Sequence, residues 1–151
     1  VGVRVEGTSA RITSGAGSVT VNGTGGQNSG GLNNVGVWVR TGGVITSGST
    51  ALVTVNGQGG GVVGGASGSG SSHGVLVDLA SQITSNGGNV NVTGTGGFGD
   101  NSRGVLVTAG GTVSSGGTGT VSGDPYGTYC AWLDQLVSFL AAFKRRDSTS
   151  A

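Results

Sequence analysis

The chain has 151 residues, 36 of them Gly, with 9% charged and 5% aromatic residues, one Pro, one Cys and a formal net charge of +1. So few cations exclude binding of nucleic acid by phosphate neutralisation, a single Cys excludes an internal disulfide or a thiolate metal site, and no apolar run reaches the ~18 residues of a membrane-spanning helix. The length suits one domain, and a start at Val1, with neither an initiator Met nor a signal peptide, predicts a fragment or a processed product.

Gly at this level signals either disorder or a repeat, and a period separates the two. The chain opens with Gly2-Val3-Arg4-Val5, then Ile12-Thr13-Ser14, then Val19-Thr20-Val21-Asn22-Gly23. The same three signals return as Gly36-Val37-Trp38-Val39, Ile45-Thr46-Ser47 and Val53-Thr54-Val55-Asn56-Gly57. They return again as Gly74-Val75-Leu76-Val77, Ile83-Thr84-Ser85 and Val90-Asn91-Val92-Thr93-Gly94. A fourth, degraded copy reads Gly104-Val105-Leu106-Val107, Val113-Ser114-Ser115 and Thr120-Val121-Ser122-Gly123. The leading glycines lie 34, 38 and 30 residues apart. Almost all the variation in length falls in the Gly/Ser/Asn segments Thr24 to Asn34, Gln58 to His73 and Thr95 to Arg103, which read as loops.

All three segments are β-branched, alternating and too short for helices. None can bury its apolar face alone, whereas stacking each on its copy one repeat later solves the problem. The predicted fold is therefore all-β: a parallel β-helix, or β-solenoid, of about four three-stranded turns over residues 1–123. At ~4.8 Å per strand it stands about 20 Å tall. A disordered linker has no reason to keep Val, Ile and Asn-Gly in register through four copies, and a propeller blade carries more strands and more aromatic residues. Corners need tight turns, frequently with positive φ, which accounts for the Gly content. The columns of Ser14, Ser47, Ser85 and Ser115, and of Asn22 and Asn56, read as structural ladders in which polar side chains bond from rung to rung.

The tail breaks the pattern. Residues 124–130, with Asp124-Pro125-Tyr126-Gly127, read as a turn or linker. Residues 131–146 read as an amphipathic C-terminal helix, with Trp132, Leu133, Leu136, Val137, Phe139, Leu140 and Phe143 at helical spacing and Lys144, Arg145 and Arg146 in its last turn. Residues 147–151 read as a frayed end. The helix has three readings: a cap over the open edge of the fourth turn, a cover for an outer column, or a membrane or sorting tail, from the apolar residues that precede Lys144-Arg145-Arg146. That outer column is formed by the outward residues of the first segment, Arg4, Trp38, Leu76 and Leu106, and its cover comes from the same chain or a neighbour. The self-assembly or capping surface is accordingly assigned to Trp132, Leu136, Phe139, Leu140 and Phe143 with Trp38, Leu76 and Leu106. At the other end Arg4, Glu6 and Arg11 crowd the first turn, where charge discourages indiscriminate edge pairing.

Chemistry is sparse. No two of Glu6, Asp78, Asp100, Asp124, Asp134 and Asp147 fall at equivalent positions in adjacent repeats, so no stacked carboxylate pair for sugar cleavage is expected. His73, the single His, sits at a loop–strand junction in line with Val1, Val35 and Arg103, and reads as incidental. Gly97-Phe98-Gly99-Asp100 is half of a calcium-binding nonapeptide, occurring once with its Asp one place early. Thr13, Thr46, Thr84 and Ser114 form a column one residue wide, whereas ice-binding solenoids present two aligned Thr per strand. Asn22-Gly23-Thr24 and Asn91-Val92-Thr93 fit glycosylation acceptors, and Cys130 reads as a small buried residue or an intermolecular thiol. No catalytic residue, cofactor or metal site is expected.

The repeats Gly-Val-x-Val, Ile-Thr-Ser and Val-Thr-Val-Asn-Gly-x-Gly-Gly resemble those of large bacterial surface proteins, the filamentous-haemagglutinin-type and autotransporter-passenger adhesins. The resemblance covers residues 1–123 and implies a secreted, right-handed parallel β-helix serving as stalk, adhesin or matrix fibre. Four turns are few for that family and the aromatic tail is foreign to it; both departures favour a small self-assembling subunit or a truncated fragment. The expectation is a structural, non-enzymatic subunit or module, extracellular or at the cell surface. Its partner is itself, in a homo-oligomer or head-to-tail filament, with no nucleic acid and no membrane span. The alternative is an adhesin whose loops touch glycan, host protein or matrix.

Overall fold

The computed structural model describes residues 1–27, 33–61, 71–98, 101–123 and 128–130. All its regular elements are β-strands. The first turn holds β1 (Val3–Glu6), β2 (Arg11–Ser14) and β3 (Val19–Thr24); the second holds β4 (Val37–Arg40), β5 (Val44–Ser47) and β6 (Val53–Gln58). The third holds β7 (Val75–Val77), β8 (Gln82–Thr84) and β9 (Val90–Thr95); the fourth holds β10 (Val105–Val107), β11 (Thr112–Ser114) and β12 (Val121–Gly123). A last strand, β13 (Thr128–Cys130), follows.

The strands form three parallel sheets, ordered β1-β4-β7-β10-β13, β2-β5-β8-β11 and β3-β6-β9-β12. Sheet neighbours are three elements apart in the chain, so the backbone visits each sheet once per turn and returns one rung further on. This is the arrangement of a parallel β-solenoid. Its register follows the sequence repeats: Val3 pairs Val37, Ile12 pairs Ile45 and Val19 pairs Val53. The expected repeats therefore correspond to physical rungs. Residues 128–130, expected within a connecting turn, instead pair in parallel with β10, with Cys130 opposite Val107. The first sheet thus begins a fifth rung. The expected helix over 131–146, including Trp132, Leu136, Phe139, Leu140 and Phe143, lies outside the described residues.

The core is a set of stacked Val and Ile columns in which like residues lie on like. Ile45 and Ile83 are fully buried, while Ile12 and Val113, on the outer rungs of the same column, are only half-buried. The difference is positional, since an interior rung has a neighbour on both sides. In-register stacking also brings the backbone close at the corner between the third sheet and the next turn. There Gly23 faces Gly36: a β-carbon on Gly23 would lie 2.7 Å from Cγ2 of Val37. No larger residue fits at that distance.

The corner between the first and second sheets is a four-residue turn, with Gly43, Ser81 and Gly111 donating to the carbonyls of Arg40, Asp78 and Thr108 at 3.0, 3.2 and 2.8 Å. Its two central residues are left-handed. They are Thr41-Gly42 in the second turn (φ 54° and 80°), Leu79-Ala80 in the third (50° and 61°) and Ala109-Gly110 in the fourth (47° and 78°). Sequence reasoning assigned such corners to Gly, but the third turn makes this one without any.

Candidate functional site

The loops have ordered stems. Gly25 donates to the Gln58 carbonyl and Gly59 to the Thr95 carbonyl, both at 2.8 Å, so the third-sheet ladder runs past the strand ends. Gly60 donates to Asn34 at 2.7 Å and Gly97 to Ser72 at 2.7 Å, which ties the outgoing arm of each stem to a returning arm. A β-carbon on Gly60 would lie 2.6 Å from the Gly25 carbonyl carbon, and one on Gly97 2.5 Å from that of Gly59. The glycine runs read as loop from composition are therefore a close-packed backbone layer, at least as far as residues 61 and 98.

Between the arms lies a small polar core formed by Asn34, Ser72 and His73, all buried, beside the fully buried Val35. His73, expected to be incidental, is part of this core. Its Nδ1 accepts the backbone N–H of Arg103 at 3.2 Å, and the Ser72 N–H donates to Oγ of Ser102 at 3.0 Å. The available signal was its alignment with Val35, a residue type that belongs inside.

The outer wall of the first sheet carries the residues singled out from the sequence. Arg4, Trp38, Leu76 and Leu106 stand in one register column. Arg40 sits over the Trp38 ring at 4.3 Å from its centroid, and Arg4 at 5.4 Å. The indole N–H donates to Oδ1 of Asp78 at 3.3 Å. Glu6 pairs with Arg4 and lies 3.7 Å from Nε of Arg40. Facing a ring with cations and its N–H with a carboxylate matches the ring's own charge distribution, so Trp38 is held in one orientation. Leu76 is only 8% exposed although it lies outside the inner cluster, and Leu106 is half-buried. The structure brings Trp38, Leu76 and Leu106 together as one apolar strip edged by charge.

The second wall is quieter. Thr13, Thr46 and Thr84 each donate a hydroxyl to the next residue's carbonyl, at 3.3, 3.0 and 3.2 Å. The Ser column turns inward. Ser47 shares its one hydroxyl proton between the Ser49 and Ala51 carbonyls, at 2.8 and 2.9 Å, while Ser85 shares its own between the Gly88 carbonyl and, at 2.8 Å, the Ser115 carbonyl. Only the Ser85–Ser115 bond runs rung to rung, because the corner carbonyls compete for the hydroxyls. On the third wall Asn56 donates to Asn22 at 2.9 Å, a true ladder step, which ends where Thr93 follows Asn56.

Among the described residues, no three His, Cys, Asp or Glu side chains gather in a way that could hold a metal ion, and no helix is long and apolar enough to cross a membrane. No protein-family model, curated protein or solved structure matches the chain.

Proposed function

We propose that this chain is a structural module of an extracellular β-solenoid, building a fibre or surface layer by head-to-tail contact of turns. One observation carries the reading. Every turn joins the next through the same in-register parallel ladder in all three sheets, and β1, β2 and β3 have a strand on one side only among the described residues. Such an edge offers a full rung of donors and acceptors to another rung, and a heterologous contact that does not close into a ring propagates. The charges of Arg4, Glu6 and Arg11 restrict which edge can dock there. The likeness of the repeats to bacterial surface β-helices supports an extracellular setting. In this reading the segment 131–146 is an amphipathic helix that caps its own chain or locks a neighbour, with the strip of Trp38, Leu76 and Leu106 as its seat.

The test uses the direction of one N–H. Val19 donates to Leu52 on the second turn, so the N–H of Thr20, one residue along the strand, points to the open edge. Thr20→Pro removes that edge donor while leaving the ladder to β6 intact. Wild-type protein is expected to form filaments or large oligomers by size exclusion and negative-stain imaging. The variant is expected to keep its strand content and lose most of that association. A wild-type monomer that binds glycan would instead favour the adhesin reading.

A further inference from the structure

His73 stands where residues 71–74 return to the solenoid, and its side chain is 3% exposed. Gly36 donates to its carbonyl at 3.0 Å, and Gly74 donates to the Arg103 carbonyl at 2.9 Å. These bonds set it in one column between Val35 of the second turn and Arg103 of the fourth. The Arg103 N–H donates to Nδ1. A nitrogen that accepts carries no proton, so the ring is neutral, with its proton on Nε2. The Ser72 to Ser102 bond spans the same gap one residue earlier.

We propose that His73 is an acid-sensitive clasp between the third and fourth turns, whose protonation releases the Arg103 amide and loosens the stem. A proton on Nδ1 sets donor against donor, and a buried N–H that loses its acceptor is costly. It also places a cation in a nearly dry site. Asn34 and Val35 from the second turn, Ser72 from its own turn and Ser102 from the fourth bring no charge to the ring, and Arg103 brings a like charge. Burial first, and then Arg103, holds the imidazole below its ordinary pKa. The sign follows from linkage. An unfolded His titrates near ~6.5 and binds more protons than the clasped one below that pH. Stability from this group is thus complete above about pH 6.5 and is lost as pH falls through the lower folded value. This inference stands apart from the fibre reading.

The test compares the wild-type chain with His73→Asn, whose amide oxygen can take the Arg103 N–H and does not titrate. Between pH 7.5 and 5 the melting temperature of the wild type is expected to fall relative to that of the variant. Exchange at the Arg103 and Gly74 amides, corrected for intrinsic rates, is expected to accelerate in the wild type alone. At the acid limit the acceleration is about tenfold for each pH unit separating the open and clasped pKa values. Equal pH dependence in the two proteins overturns the proposal. If His73→Asn does not fold, NMR titration of the wild type decides, since the chain has one His. An imidazole that titrates at or above the ordinary His value overturns the clasp, and one that titrates below it, with loss of the Arg103 amide's protection, supports it.

Discussion

Gly57 lies against Gly74 so closely that a β-carbon on Gly57 would run into the Gly74 carbonyl and come within 2.7 Å of Cγ2 of Val75. The end of the third strand of one turn is thereby fitted to the start of the next turn. Gly57→Ala is expected to destabilise the fold by roughly 1–3 kcal/mol, the usual cost of overpacking. Gly15→Ala, with nothing within 4 Å of its added carbon, should change stability by under about 0.5 kcal/mol. Paired denaturant titrations give both values, and equal losses would remove the close approach as the cause.

Burial along the Ile column predicts a gradient. Ile83 is fully buried, and Ile83→Ala should cost roughly 2–5 kcal/mol, the range for a truncation that leaves a cavity. Ile12, half-buried on the first rung, should lose distinctly less on the same change. Both side chains stack on Ile45, and Ile83 also meets Val113 on its other side, so the comparison reads the effect of having a rung on each side.

Ala80 has φ 61° at the position held by Gly42 and Gly110 in the neighbouring turns. The left-handed region costs an L-residue roughly 1–2 kcal/mol. Part of that is offset by the greater freedom of Gly in the unfolded chain. Ala80→Gly is therefore expected to stabilise the protein by roughly 0.5–1 kcal/mol, measured as a rise in the denaturation midpoint at unchanged slope. A loss of stability would mean that the methyl group makes a packing contribution that outweighs the strain.

Trp38 offers a contrast between wall and core. Trp38→Ser removes two cation–π contacts of about 0.5–1 kcal/mol each and the indole bond to Asp78, worth about 1 kcal/mol, on a half-buried wall where truncation leaves no enclosed cavity, so the expected stability loss lies at or below the lower part of the Ile83→Ala range. If the strip of Trp38, Leu76 and Leu106 seats the tail or a neighbour, the same change should weaken association more than folding. Sedimentation velocity and thermal melts on one sample separate the two effects.

Much of this architecture was legible because the repeat is a physical repeat. Val, Ile and Asn-Gly recur where rungs pair, so matching Val3 to Val37 and Ile12 to Ile45 predicted the register directly. The strip of Trp38, Leu76 and Leu106 followed from the same alternation. Residues 128–130 were not legible: Thr-Tyr-Cys carries no copy of the Val-x-Val signal and owes its pairing to the exposed edge of β10. The stems were hidden for a related reason. Gly has no side chain to pattern, so a close-packed backbone layer and a mobile linker have the same composition.

The sequence by itself determined the period, the strand segments and the inward faces, because alternating β-branched residues cannot satisfy their apolar sides except against their own copies. Only the tertiary structure decided the fate of the polar groups. Serine hydroxyls turned to corner carbonyls, Leu79 and Ala80 took a left-handed corner without glycine, and His73 became a buried acceptor. Each of these depends on which backbone atoms another turn brings within hydrogen-bonding reach, and a linear pattern does not carry those distances.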